Sequence, residues 1–162
     1  MTRELFSALV AAIKSVQKDG EQLIKHVDLW NRNVEFIDQE SAWPRPAVFI
    51  EFGQATYRIL SGPSISATAE VAVTLHIVTD WKGSAADGSA QQDAALEVLD
   101  YPWLIAQAVA AIPDGQSFRR VQLLSDRPNH DHETIVETLQ QYTVAINRAF
   151  NPILSTQKHK VL

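Results

Sequence analysis

The chain has 162 residues, 46% apolar and 20% charged, with a formal net charge of −5 and no cysteine. That length suffices for one domain with a real core, and the composition excludes disulfides, a thiolate nucleophile and a cysteine-based zinc site. The acidic balance argues against a general nucleic-acid binder, which presents a basic face, and no run approaches the roughly 18–20 unbroken apolar residues of a membrane span.

The first predicted element is an amphipathic helix over Thr2–Lys18, with Leu5, Phe6, Leu9, Val10, Ile13 and Val16 on one stripe. Thr2 suits its start, Lys14 and Lys18 its negative end, and Gly20 its exit. Glu4 and the lack of a cleavage site read against a signal peptide. Glu21–Phe36 has apolar mass without a clean period; the expectation is a short strand around Ile24–Trp30 and a loop at Asn31–Asn33. Asp38–Arg45 reads as a loop, with Pro44 and Pro46 marking its end. Ala47–Phe52 then reads as a strand in which Val48, Ile50 and Phe52 share a face and which Gly53 ends. Tyr57–Leu60 is a further short strand or hairpin arm, and Ser61–Ser64 a turn.

Ser66–Trp81 carries the strongest pattern in the chain. Ala67, Ala69, Val71, Val73, Leu75 and Ile77 alternate with mostly polar positions that include Glu70 and His76, and only Val78 breaks the period. A strand so much longer than the usual 5–6 or so residues belongs at the centre of a sheet. Lys82–Ala90 reads as an exposed loop and Gln91–Leu99 as helical, with a break at Asp100–Tyr101. Pro102 then opens a second helix whose apolar side is Trp103, Leu104, Ala108, Val109 and Ile112. After the stop at Pro113–Gly115 come two strands, Phe118–Ser125 and Thr134–Phe150, joined by Asp126–His132. Asn151–Leu162 reads as a flexible tail on a single domain spanning 1–150.

Candidate chemistry is sparse. His130, Asp131, His132 and Glu133 have metal-binding side chains, but the flanking Asp126, Arg127 and Pro128 place them in a turn, without a second ligand group. A solvated hairpin connection is the preferred reading. His76, alone on the polar face of its strand, reads as packed or hydrogen-bonded. Glu51, Glu70 and Asp80 would lie close together if their strands pair. No G-x-S-x-G, phosphate loop or dinucleotide fingerprint occurs. No catalytic, cofactor-binding or metal residue is therefore assigned. Of Trp30, Trp43, Trp81 and Trp103, the pair Trp43 and Trp81 lie where a strand meets a polar loop, and they are the candidate interface residues.

The order of elements resembles the tail terminator or tail-completion proteins of long-tailed bacteriophages and related prophage minor tail proteins. The resemblance rests on the N-terminal helix followed by Asp28-Leu29-Trp30-Asn31, on Pro46–Phe52, on Val71–Asp80, on Leu96–Ile112, and on Tyr142–Ile146. It covers about residues 3–150. It implies an α+β fold, with helices against a mixed or antiparallel sheet of four or more strands. It also implies a non-catalytic, cofactor-free subunit of a homo-oligomeric ring, a hexamer in the family. Such a ring would contact tail-tube and head-connector proteins and sit in the virion tail after assembly in the host cytoplasm, without specific nucleic-acid or membrane binding. Two other classes stay open: a small metal-dependent hydrolase using His130–Glu133, and a stand-alone bacterial adaptor domain.

Overall fold

A computed structural model describes residues 2–35, 43–60 and 66–149. The expected turn at Ser61–Ser64, the tail Asn151–Leu162 and most of the loop Asp38–Arg45 lie outside them. The architecture is α+β, with helices α1 (Arg3–Ser15), α2 (Gln92–Leu96) and α3 (Asp100–Ala110). Its strands are β1 (Gln17–Lys18), β2 (Glu21–Gln22), β3 (His26–Leu29), β4 (Ala47–Leu60), β5 (Ser66–Asp80), β6 (Phe118–Asn129) and β7 (Ile135–Ala149). Among the described residues five strands form one sheet in the order β3-β4-β5-β7-β6. The β3–β4 pair is parallel and the others antiparallel. The alternating strand thus occupies the middle, bonded along its whole length to β7.

One face of this sheet carries the main core. Leu5, Leu9 and Ile13 of α1 and Ile105 and Val109 of α3 pack on Val71, Val73, Leu75 and Ile77 of β5 and on Tyr142, Val144 and Ile146 of β7. Among the described residues the other face is covered only at one end, where Ala47, Phe49, Val78, Ile135 and Val34 form a smaller cluster with Trp30 and Trp43. This second cover explains Val78: where both faces of a strand are buried, the period of two gives way to a continuous apolar run.

Several boundaries differ from the sequence reading. The Thr2 side chain caps α1 as expected, accepting from the Leu5 N–H, but the helix stops at Ser15. Asp19 and Gly20, both at positive φ, make the two-residue turn between β1 and β2, so Gly20 serves a hairpin and not a helix exit. Gly53 does not end its strand: β4 runs on to Leu60 through a bulge opposite Ala72, and Tyr57–Leu60 belongs to the same strand. A Cβ at Gly53 would sit 3.2 Å from that of Ala72, so the glycine permits the close approach. No break occurs at Asp100–Tyr101, because α3 begins at Asp100 and takes Pro102 in its first turn. Its buried side is Tyr101, Ile105, Ala106 and Val109, and Trp103 points outward. Likewise β6 extends through Asp126–Asn129, leaving a shorter connection than the Asp126–His132 expected.

Two polar anchors tie helices to the sheet. The Gln140 amide, fully buried, donates to the Pro102 carbonyl at 2.7 Å and accepts from the Tyr142 hydroxyl at 2.8 Å. Burial, with Asp126 adding to it, raises the Tyr142 pKa well above that of a free tyrosine. Glu4, on the first turn of α1, accepts from the backbone N–H groups of Gln116 and Ser117 at 2.7 and 2.9 Å. The Ser117 hydroxyl and then those N–H groups hold its carboxyl below the usual range.

Candidate functional site

The polar residues of the sheet's second face form two groups. At the covered end His76 of β5 is the hub. Its Nδ1 lies 2.7 Å from Glu137 Oε1, its Nε2 lies 3.1 Å from Glu51 Oε2, and the Trp30 indole stacks on its ring with centroids 3.7 Å apart. Glu137 is 1% exposed and His76 6% exposed. The other Glu137 oxygen accepts from Asn129 Nδ2 at 2.6 Å and faces His132 Nε2 at 3.2 Å. The strand register makes this meeting: Val78 and Asn129 both pair with Glu137, and Phe49 pairs with His76. Ionised carboxylates only accept, so an imidazole with one N–H serves one of the His76 contacts and an imidazolium serves both. Burial pushes the Glu137 carboxyl upward, but the hydrogen bonds from His76 and Asn129, the charge of His76 and the bond from His132 outweigh it. The net result lies below the ordinary glutamate value.

The sequence placed His76 as packed or hydrogen-bonded, and it is both. Glu51, Glu70 and Asp80 do not come together. Glu51 faces His76, Glu70 lies 3.3 Å from the Thr143 hydroxyl, and Asp80 pairs with Arg45. Their strands do pair, but Glu51 stands opposite Thr74 and Glu70 opposite Thr56, so the register separates them along the sheet. The His130–Glu133 stretch is also divided, since His132 turns in on Glu137 while His130, Asp131 and Glu133 are exposed. Among the described residues no three His, Asp or Glu side chains are grouped to hold a metal ion. Trp43 packs edge-on against Phe49 at 4.8 Å, beneath Arg45, whereas Trp81 is 60% exposed.

Apolar side chains are also exposed along both sides of the sheet and on the helices. Strand β3 pairs with β4 only over Ala47–Ile50, so among the described residues the remainder of β4 has no neighbour on that side, and Tyr57 and Ile59 there are exposed. On the opposite side β6 bonds, among the described residues, to β7 alone, with Leu123 and Leu124 exposed. Opposite pairing partners put Tyr57, Ile59 and Leu123 on the helix-bearing face, because they face Ala69, Ala67 and Tyr142. A third patch is Leu96 of α2, Leu99 of the 3-10 turn Glu97–Leu99 and Trp103 of α3, all exposed. No helix among the described residues is long and apolar enough to cross a membrane. No protein-family model matches the chain, and no curated protein is detectably similar to it.

Proposed function

We propose that this chain is a structural subunit of a phage or prophage tail, a terminator or completion protein that forms a homo-oligomeric ring at the tail end and helps join tail to head. The observation that carries the reading is a pair of strand edges on opposite sides of one long sheet that have no neighbour among the described residues, both with exposed apolar side chains on the same face. Such edges favour association with another chain. Two different, opposed surfaces make a head-to-tail contact, which closes into a ring when the rotation per subunit divides a full turn. The resemblance of the element order supplies the tail and suggests six subunits. The ring would act through shape: it stacks on the tail-tube protein, stops its polymerisation and presents a surface to head-connector proteins. The overall charge of −5 suits a lumen through which DNA slides without sticking. On this reading the chain is not an enzyme, and the His76 network holds Trp30 and the second cover in place.

The test is deletion of the gene from the phage or prophage genome that carries it, followed by electron microscopy of the particles. Tails of uncontrolled length, or tails without heads, are expected. Normal infectious particles would overturn the proposal.

A further inference from the structure

The half of the sheet's second face that no described residue covers forms an open concavity of about 820 Å³. Its floor is Thr68, Glu70, Ala145 and Asn147, and guanidinium groups line its sides: Arg58 from β4 and Arg119 and Arg120 from β6. The register accounts for this placement. Arg58 pairs with Thr68 and Arg119 with Ala145, which sets both arginines on the second face. Arg120 would normally point the other way, since neighbours on a strand alternate. It lies instead within a bulge between Arg119 and Gln122, at a φ of 52°, with its N–H held by the Asp114 carboxylate at 2.9 Å. A left-handed backbone is disfavoured for arginine. Here it puts a second guanidinium beside the first.

We propose that this trough binds a phosphate-bearing anion, independently of any assembly role. The two sides stand three strand spacings apart, roughly 14 Å, a gap that extended arginine side chains from both sides can close on a group the size of a phosphate or pyrophosphate. Arginine suits it, because its planar fork gives two parallel charge-assisted hydrogen bonds to a tetrahedral oxyanion. Two carboxylates share the trough: Glu70 lies on the floor beside Ala145 and accepts from the Thr143 hydroxyl at 3.3 Å, and Asp114 holds the Arg120 N–H, so the three guanidinium groups leave a positive balance of one charge. Among the described residues none of the three arginines is in an ion pair. The Thr56 and Thr68 side chains add hydroxyl donors at the rim and floor.

The test is titration of the whole protein with inorganic pyrophosphate, followed by amide NMR and calorimetry, with a short single-stranded oligonucleotide in a parallel arm. Saturable pyrophosphate binding is expected, with shifts centred on Thr68, Ala145 and Asn147. Affinity should fall about tenfold in each of Arg58→Gln and Arg119→Gln, the loss of one charge-assisted contact, and should be unchanged in Lys14→Ala on α1. All three side chains are exposed, so circular dichroism should show unchanged folding. Tighter, length-dependent binding of the oligonucleotide, lost in the same arginine variants, would assign the phosphate to a nucleic-acid backbone and still support the site. No saturable binding, or binding that both arginine variants retain, would overturn it.

Discussion

Glu137 is the residue on which the buried network turns. Three donor groups, from His76, Asn129 and His132, converge on its two oxygens. A glutamine there has one acceptor oxygen and sets its own N–H2 against donors. Glu137→Gln should therefore destabilise the fold by about 2 kcal/mol, or roughly 6 °C in melting temperature for a chain of this size. The pH dependence follows from the lowered carboxyl. Folding favours the ionised form, so its contribution is complete above the ordinary value of 4.5 and disappears as pH falls through the lower folded value. Thermal unfolding followed on acidification below pH 4.5 should fall more steeply in the parent protein than in Glu137→Gln. Parallel curves would show that the carboxylate is not what the network stabilises. His76 could be seen in the sequence as a polar residue on a buried strand, but its partners could not. Glu137 lies 61 residues away, and only the register of β5 with β7 brings the two together.

The elements were legible where one face of a strand or helix is buried and the other is not. The alternation of β5 and the stripe of α1 are of that kind: β5 lies where its pattern puts it, and α1 does so except at its end, which comes at Ser15 and not at Lys18. The signal failed at bulges and double burial. Gly53 looks like a stop, yet β4 uses it to pass Ala72, and β6 reads as shorter than it is because its residues are mostly exposed on a sheet edge. The arginine trough was illegible for the same reason: a bulge changes which side Arg120 faces, and no periodicity announces it. Two substitutions probe these elements. Val73→Asp puts an unpaired charge at the centre of the main core, a cost of several kcal/mol. That is comparable with the whole stability of such a domain, so circular dichroism should report an unfolded chain. Gln140→Leu removes the anchor between β7 and α3 and leaves the Tyr142 hydroxyl buried without a partner, costing about 1–3 kcal/mol. Adding Tyr142→Phe should recover part of that loss, a coupling that denaturant melts of the two single variants and the double variant would measure.

At the scale of the whole molecule the question is what meets the two edges of the sheet. Strand β6 is not an open invitation to extend the ladder, because it carries two bulges and Pro128, which has no N–H to donate. A seam between subunits would then rest on side chains more than on backbone pairing. Tyr57, Ile59 and Leu123 share a face, so an edge-to-edge contact in which the helix-bearing faces continue would put these apolar groups together. Leu124, 60% exposed within the second bulge, stands beside them. A specific interface buries about 1,000 Å² or more, which four side chains do not supply alone, and the Leu96–Leu99–Trp103 patch and Trp81 are further apolar surface available to it or to the tail tube. Replacing Leu123 and Leu124 together by Asp should leave the monomer folded, because both side chains are already in contact with water, and should abolish assembly. The parent protein should form closed rings at high concentration or on purified tail tubes, visible by negative-stain microscopy and as one oligomer mass. Ile59→Asp, on the opposite edge, should fail in the same way. Head-to-tail geometry adds a sharper expectation: a mixture of the two variants still offers one intact seam, so it should give dimers and no rings, whereas either variant alone gives only monomers. A parent protein that stays monomeric even on tail tubes, or variants that assemble as it does, would rule out these edges as the seam.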